Sequence, residues 1–174
     1  MRIIQAQTTA ERDTVRELFG EYQRGLGVDL GFQGFAKELA SLPGRYALPG
    51  GRLLLALERT EAAGCVALRA LEEGVCEMKR LFVRPAFRGQ GLGLRLAMQI
   101  INEATALGYA IMRLDTLDTL DSAIRMYAGL GFQRRTPYYA NLLAGVVYWE
   151  RKLNTRGDHP AAVGSPDSEL QQSV

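Results

Sequence analysis

Apolar residues along this chain alternate between strand-like runs and a helical repeat, with glycines and prolines at most of the switches. Arg2 to Gln7, carrying Ile3 and Ile4, reads as a short strand. Thr8 or Thr9 can cap the helix that follows, whose apolar stripe is Val15, Leu18, Phe19 and Tyr22. Gly25, Gly27 and Gly31 break that helix, and Phe32 to Leu42 forms a second short one before Pro43-Gly44. Arg52 to Arg59 and Gly64 to Ala70 are two strands turned at Thr60 to Ala63, and a turn at Glu72-Glu73-Gly74 leads into a third, Glu77 to Val83. Short connections make these three an antiparallel meander.

Pro85 ends the third strand by removing a backbone donor. The next segment has Leu92, Leu96, Ala97, Ile100, Ile101 and Ala104 on one helical face and Arg95, Gln99, Asn102 and Glu103 on the other. Gly108 stops it, and Ala110 to Asp115 is a strand that lies parallel to its predecessor because a helix separates them. Asp118 or Thr119 opens a further helix with Ala123, Ile124, Tyr127 and Leu130 inward, stopped by Gly131. Phe132 to Thr136 and Gly145 to Leu153 close the chain as an antiparallel pair, linked by a loop holding Pro137, Tyr138, Tyr139 and Asn141. The order is β-α-α-β-β-β-α-β-α-β-β, an α/β pattern with one parallel step.

Composition fits this reading and removes several function classes. The 174 residues, 47% hydrophobic and 23% charged, suit one packed domain, expected over residues 1–153. From 154 to 174 the chain turns to Pro, Gly, Ser, Asp and Gln without apolar period, the expectation for a disordered tail. A net charge of +2 with scattered cations argues against nucleic acid or a membrane surface as partner. The first ten residues lack a signal pattern, which points to a cytoplasmic protein. Cys65 and Cys76 each sit in an apolar run and are expected as buried thiols. His159, the one histidine, lies in the tail, so no His-based triad or histidine zinc site is expected in the domain, and no metal.

The chemistry gathers between the third strand and the long helix. Gly89, Gly91 and Gly93 free several backbone N–H groups to face one ligand, the helix begins there with its positive end, and Arg88 adds a charge. That is an anion cradle suited to a phosphate or pyrophosphate. It is not a P-loop, since no Gly-Lys-Ser/Thr follows, nor the dinucleotide fingerprint, since Leu94 replaces its third glycine.

Arg88-Gly89-Gln90-Gly91-Leu92-Gly93 does match R/Q-x-x-G-x-G/A, and in this it resembles motif A of the GCN5-related N-acetyltransferases, the GNAT superfamily. Ala123-Ile124-Arg125-Met126-Tyr127-Ala128-Gly129-Leu130-Gly131-Phe132 resembles the family's A-x-x-x-Y-x-x-x-G-F block, and the element order is that of its fold. The resemblance implies a mixed central sheet of about seven strands with strands four and five splayed apart. It also implies acetyl-CoA as co-substrate, with the pyrophosphate on Arg88 to Gly93 and pantetheine along the backbone of Leu81, Phe82 and Val83.

By the same resemblance Tyr127 is the candidate acid for the leaving sulfur, against a plain packing role on the inner helix face. Glu77 falls where some members carry a glutamate base. Strand alternation would put Glu77 on the face of Leu81 and Val83, where partial burial would suit a base; the alternatives are a surface ion pair with Lys79 or Arg80, and deprotonation through ordered water. Leu120 stands where many members have an asparagine, which removes that residue's cofactor contact. Phe32, Phe35, Tyr46, Tyr138, Tyr139 and Asn141 are the candidate acceptor lining, with Arg45 for a carboxylate; core packing is the competing role for the first helices' aromatics.

The expected activity is transfer of acetyl to a primary amine of a small or amino-acid-like acceptor by direct attack in a ternary complex. A peptide or protein acceptor, and a non-catalytic acyl-CoA-binding regulatory module, stay open as alternatives. A homodimer is a possible assembly by the same resemblance.

Overall fold

The computed structural model describes residues 1–27, 34–141 and 143–153. Its elements are β1 (Arg2–Gln5), α1 (Thr9–Leu26), α2 (Phe35–Ala40), β2 (Arg52–Glu58), β3 (Glu61–Glu72), β4 (Val75–Val83), α3 (Leu92–Ala106), β5 (Ile111–Leu117), α4 (Asp121–Gly129), β6 (Gln133–Arg135) and β7 (Val146–Lys152). The seven strands form one sheet in the order β1-β2-β3-β4-β5-β7-β6, antiparallel except for β4–β5. This is the expected element order. Phe32 and the tail from 154 onward lie outside the described residues.

Each face of the sheet has its own core. On one, Leu96, Ile100 and Ala104 of α3 pack with Met78, Met112, Leu114 and Tyr127. Fully burying Leu96 or Ile100 contributes about 2 kcal/mol apiece. On the other, Val15, Leu18 and Phe19 of α1 pack with Phe35, Tyr46, Leu53, Cys65 and Phe82. Thr8 is the cap of α1: it accepts from the Glu11 N–H, and the Glu11 carboxylate reaches back to the Thr8 N–H. Both cysteines are buried, and burial pushes the Cys76 thiol up to about 12.

Two local readings are corrected. α4 opens at Asp121 with Leu120 in the capping position and no side-chain cap, because the Asp118 N–H is tied to the Gly145 carbonyl at 2.8 Å and closes the β5–β7 end instead. The first hairpin is tighter than expected: β3 begins at Glu61, and Arg59 takes the turn at φ 55°.

The third correction positions the site. β3 and β4 pair as Cys65↔Phe82 and then Ala67↔Lys79, so β4 has one residue more than its partner at this point. Arg80 takes up the excess at φ 58°, a β-bulge. Lys79 and Arg80 therefore both face the α1/α2 side, while Met78 and Leu81 face α3. Glu77 consequently points away from Leu81 and Val83, not with them as unbroken alternation would have it. Ahead of the bulge the strands part: β4 pairs with β5 only from Val75↔Ile111 to Glu77↔Arg113, although β4 runs on to Val83 and β5 to Leu117. Strands four and five are splayed, as expected. Gly64 makes a close approach just past the bulge, opposite Val83, where a Cβ would stand 2.5 Å from the Phe82 carbonyl oxygen.

Candidate active site

Where β4 and β5 separate they leave a cleft of about 80 Å³, lined by Leu81, Leu114, Lys79, Asp115, Tyr22 and Tyr127 among others. Gly91 is the N-cap of α3 at φ 73° and no side chain caps the helix, so its first N–H groups keep their donors for a ligand. Gly89 is also left-handed, at φ 74°, and a Cβ at either glycine would meet nothing within 4 Å. The open, uncapped turn fits a pyrophosphate. Gly93 is less constrained, since its Cβ would make ordinary contacts at 3.8 Å and 3.9 Å. Gln90 is exposed beside the turn, whereas the Leu92 side chain is buried, so Leu92 can offer only its backbone. Arg88 donates from Nε to the Val83 carbonyl at 3.0 Å and so braces the strand-to-turn junction.

Tyr127 sits on the inner face of α4, buried, edge-on to Phe132 at 5.8 Å. Among the described residues its hydroxyl has no hydrogen-bond partner, and burial raises its pKa, helped by Tyr22 and Asp115 nearby. It stays protonated at neutral pH and can donate.

At Lys79 and Asp115 the cleft wall joins an ion-pair network. Glu77 is fully buried: Oε2 takes the Arg69 Nε–H at 2.7 Å, and Oε1 accepts the Tyr138 hydroxyl at 2.7 Å with Lys79 Nζ 3.7 Å away. Asp115 accepts Lys79 Nζ at 2.7 Å and the Tyr139 hydroxyl at 2.8 Å. Burial opposes ionisation of Asp115, but Lys79 and Tyr139 outweigh it and hold the carboxyl below its usual range. Asn141 donates to the Tyr139 hydroxyl at 2.9 Å, and the rings of Tyr138, Tyr139 and Tyr148 pack edge to face at 5.3–5.6 Å. The β6–β7 loop is thus latched onto β4 and β5 by two phenol-to-carboxylate bonds.

The expected site residues therefore divide. Glu77, Tyr138, Tyr139 and Asn141 meet in this network. Phe35 and Tyr46 do not reach it: both are buried in the α1/α2 core, Phe35 under the Arg80 guanidinium at 5.1 Å and Tyr46 donating to Glu38 at 2.8 Å. Their aromatic bulk is used for packing. Arg45 is exposed and donates to the Ala70 carbonyl at 3.3 Å, away from the cleft. Tyr22, Lys79, Arg80 and Asp115 line the cleft as well, although the sequence points to Tyr22 only as helix packing and to Lys79 and Arg80 only as ion-pair partners of Glu77.

The fold and cleft define an acyltransferase of the acetyl-CoA-binding type, and comparison with known proteins agrees. The sequence model of the Acetyltransferase (GNAT) family matches residues 13–132. An uncharacterised N-acetyltransferase of Schizosaccharomyces pombe is 44% identical over 144 residues, 82% of this chain and 88% of that protein. The IAA acetyltransferase of Azospirillum brasilense is 34% identical over 134 residues, 76% of this chain and 86% of that protein. The Salmonella typhimurium protein yncA, solved with its cofactor acetyl-CoA, superposes with a TM-score of 0.67 at 20% identity, covering 92% of this chain and 98% of that one. The chain belongs to the GNAT family and is an N-acetyltransferase with acetyl-CoA as co-substrate. Among the described residues no helix is long and apolar enough to cross a membrane.

Proposed function

We propose that the enzyme acetylates a primary amine of a small or amino-acid-like molecule by direct attack in a ternary complex. The observation that carries this is the latched β6–β7 loop: Tyr138 on Glu77 and Tyr139 on Asp115 tie the loop to β4 and β5 beside a small cleft, where an extended peptide would need an open groove. In keeping with it, the A. brasilense relative is named for IAA rather than for a protein.

In this reading the uncapped start of α3 and the Gly89–Gly91 turn hold the pyrophosphate of acetyl-CoA, and Arg88 fixes the turn to β4. The cleft-side edge of Leu81, Phe82 and Val83, free of β5, holds the pantetheine arm, and an N–H there receives the thioester oxygen as negative charge develops. Tyr127 hands its proton to the leaving sulfur. Glu77 has both oxygens engaged, so it serves as the anchor of Tyr138 and Arg69, and the amine gives its proton to solvent. The same reading makes this a cytoplasmic enzyme, with a homodimer as the assembly to look for in solution.

The test is a product screen by mass spectrometry with acetyl-CoA and three acceptor sets: small amines, free amino acids and unstructured peptides. Acetylated products confined to the first two sets are expected. Acetylation of peptides alone would replace the small-acceptor reading with a peptide one.

A further inference from the structure

The cleft contains a primary amine belonging to the protein itself. The chain has only three lysines, Lys37, Lys79 and Lys152, against 18 arginines. Lys37 and Lys152 are exposed, whereas the Lys79 side chain is 6% exposed and lines the same cleft as Leu81 and Tyr127. It shares the face of Glu77, which carries the tyrosine loop, opposite α3, and the bulge at Arg80 follows it. Lys79 Nζ lies 2.7 Å from Asp115 Oδ1, which holds the amine in place at the cleft wall. Its neighbour Arg80 is no rival nucleophile, because a guanidinium stays protonated and this one is bound at two points by Glu38, at 3.0 Å and 2.8 Å.

We propose that Lys79 Nζ is a self-acetylation site, modified by the enzyme's own acetyl-CoA when no acceptor occupies the cleft. This rests on the catalytic cleft and the role of Tyr127 put forward above. The ammonium first loses one proton to solvent. The freed lone pair then forms a C–N bond to the thioester carbonyl carbon as the C–S bond breaks. The leaving sulfur takes a proton from Tyr127, and the second Nζ proton restores the tyrosine. The products are an amide on Lys79 and free CoA. Because an amide does not pass its acetyl group on, the reaction is a single dead-end turnover. It removes one positive charge from the network and leaves Asp115 with the Tyr139 hydroxyl as its remaining partner of the two.

The full-length protein is incubated with acetyl-CoA and no amine, and acetylation of the three lysines is followed by peptide mass mapping. Lys79, the least exposed, is expected to be modified ahead of Lys37 and Lys152. Its rate should fall about tenfold or more in Tyr127→Phe, and should fall again when an amine that is turned over is added. Label on Lys37 and Lys152 without Lys79, the order that accessibility alone would give, overturns the proposal. So does labelling of Lys79 at the same rate in Tyr127→Phe. Thiol release with a panel of amines, run alongside, separates the two readings. Amine turnover with Lys79 unmodified ends the self-acetylation inference and leaves the enzyme reading standing. Absence of both thiol release and Lys79 acetylation contradicts both.

Discussion

Glu77 illustrates how a residue's surroundings redefine it. By position it is a candidate base, yet with no exposed surface and both oxygens bonded it holds Arg69, Tyr138 and, more loosely, Lys79. Removing one partner of such a buried pair strands the others, so Glu77→Ala should lower unfolding free energy by about 3 kcal/mol in a denaturant titration. A base role would instead leave stability near that of the parent and abolish amine-dependent turnover. Tyr138→Phe isolates the latch. It should raise the acceptor KM while leaving the acetyl-CoA KM unchanged, since Tyr138 belongs to the ion-pair network and not to the glycine turn. Of its partners only the neighbouring Lys79 was legible in the sequence, because Arg69 and Tyr138 lie 8 and 61 residues away and only the folded register brings them together.

At the scale of elements, the decisive feature is the bulge in β4. It turns Lys79 and Arg80 to the same side, just past the point where β4 parts from β5 at Glu77. A signal for it did exist: two consecutive charges, Lys79-Arg80, inside an apolar strand cannot both be accommodated by strict alternation. The element order, the long helix and the glycine turn were all legible, since periodicity and glycine placement are local properties. Gly64 was not, because its role comes from the backbone of another strand. Gly64→Ala would drive a Cβ into the Phe82 carbonyl, and overpacking of this kind costs about 1–3 kcal/mol. The expected result is a lower Tm together with a raised acetyl-CoA KM, because the edge at Leu81–Val83 must shift. Gly91→Ala imposes a side chain at φ 73° in open space, so it should weaken acetyl-CoA binding with a smaller loss of stability, about 1 kcal/mol.

Over the whole molecule, buried and half-buried ion pairs join the elements that the strands alone do not. Arg80–Glu38 ties α2 to β4, Arg84–Glu21 ties α1 to the end of β4, and Lys79–Asp115 spans the splay. Burial raises the Glu38 carboxyl, but Arg80 and Tyr46 outweigh it and the net shift is downward, as at Asp115. A depressed folded pKa contributes stability that is present above the unfolded carboxylate value of about 4 and is lost as pH falls through the folded value. Tm should therefore hold from neutral pH to about pH 5 and drop below about pH 4. Glu38→Gln should flatten that drop while lowering Tm at neutral pH.

The central claim is that this cleft performs acetyl transfer with Tyr127 as the acid, and thiol release from acetyl-CoA in the presence of an accepted amine tests it most directly. Tyr127→Phe should keep the fold and the affinity for CoA, because the hydroxyl has no partner among the described residues, and should lower kcat by about 100-fold or more. Undiminished thiol release in a folded Tyr127→Phe, or CoA binding with no amine able to accelerate release in the parent, would contradict it.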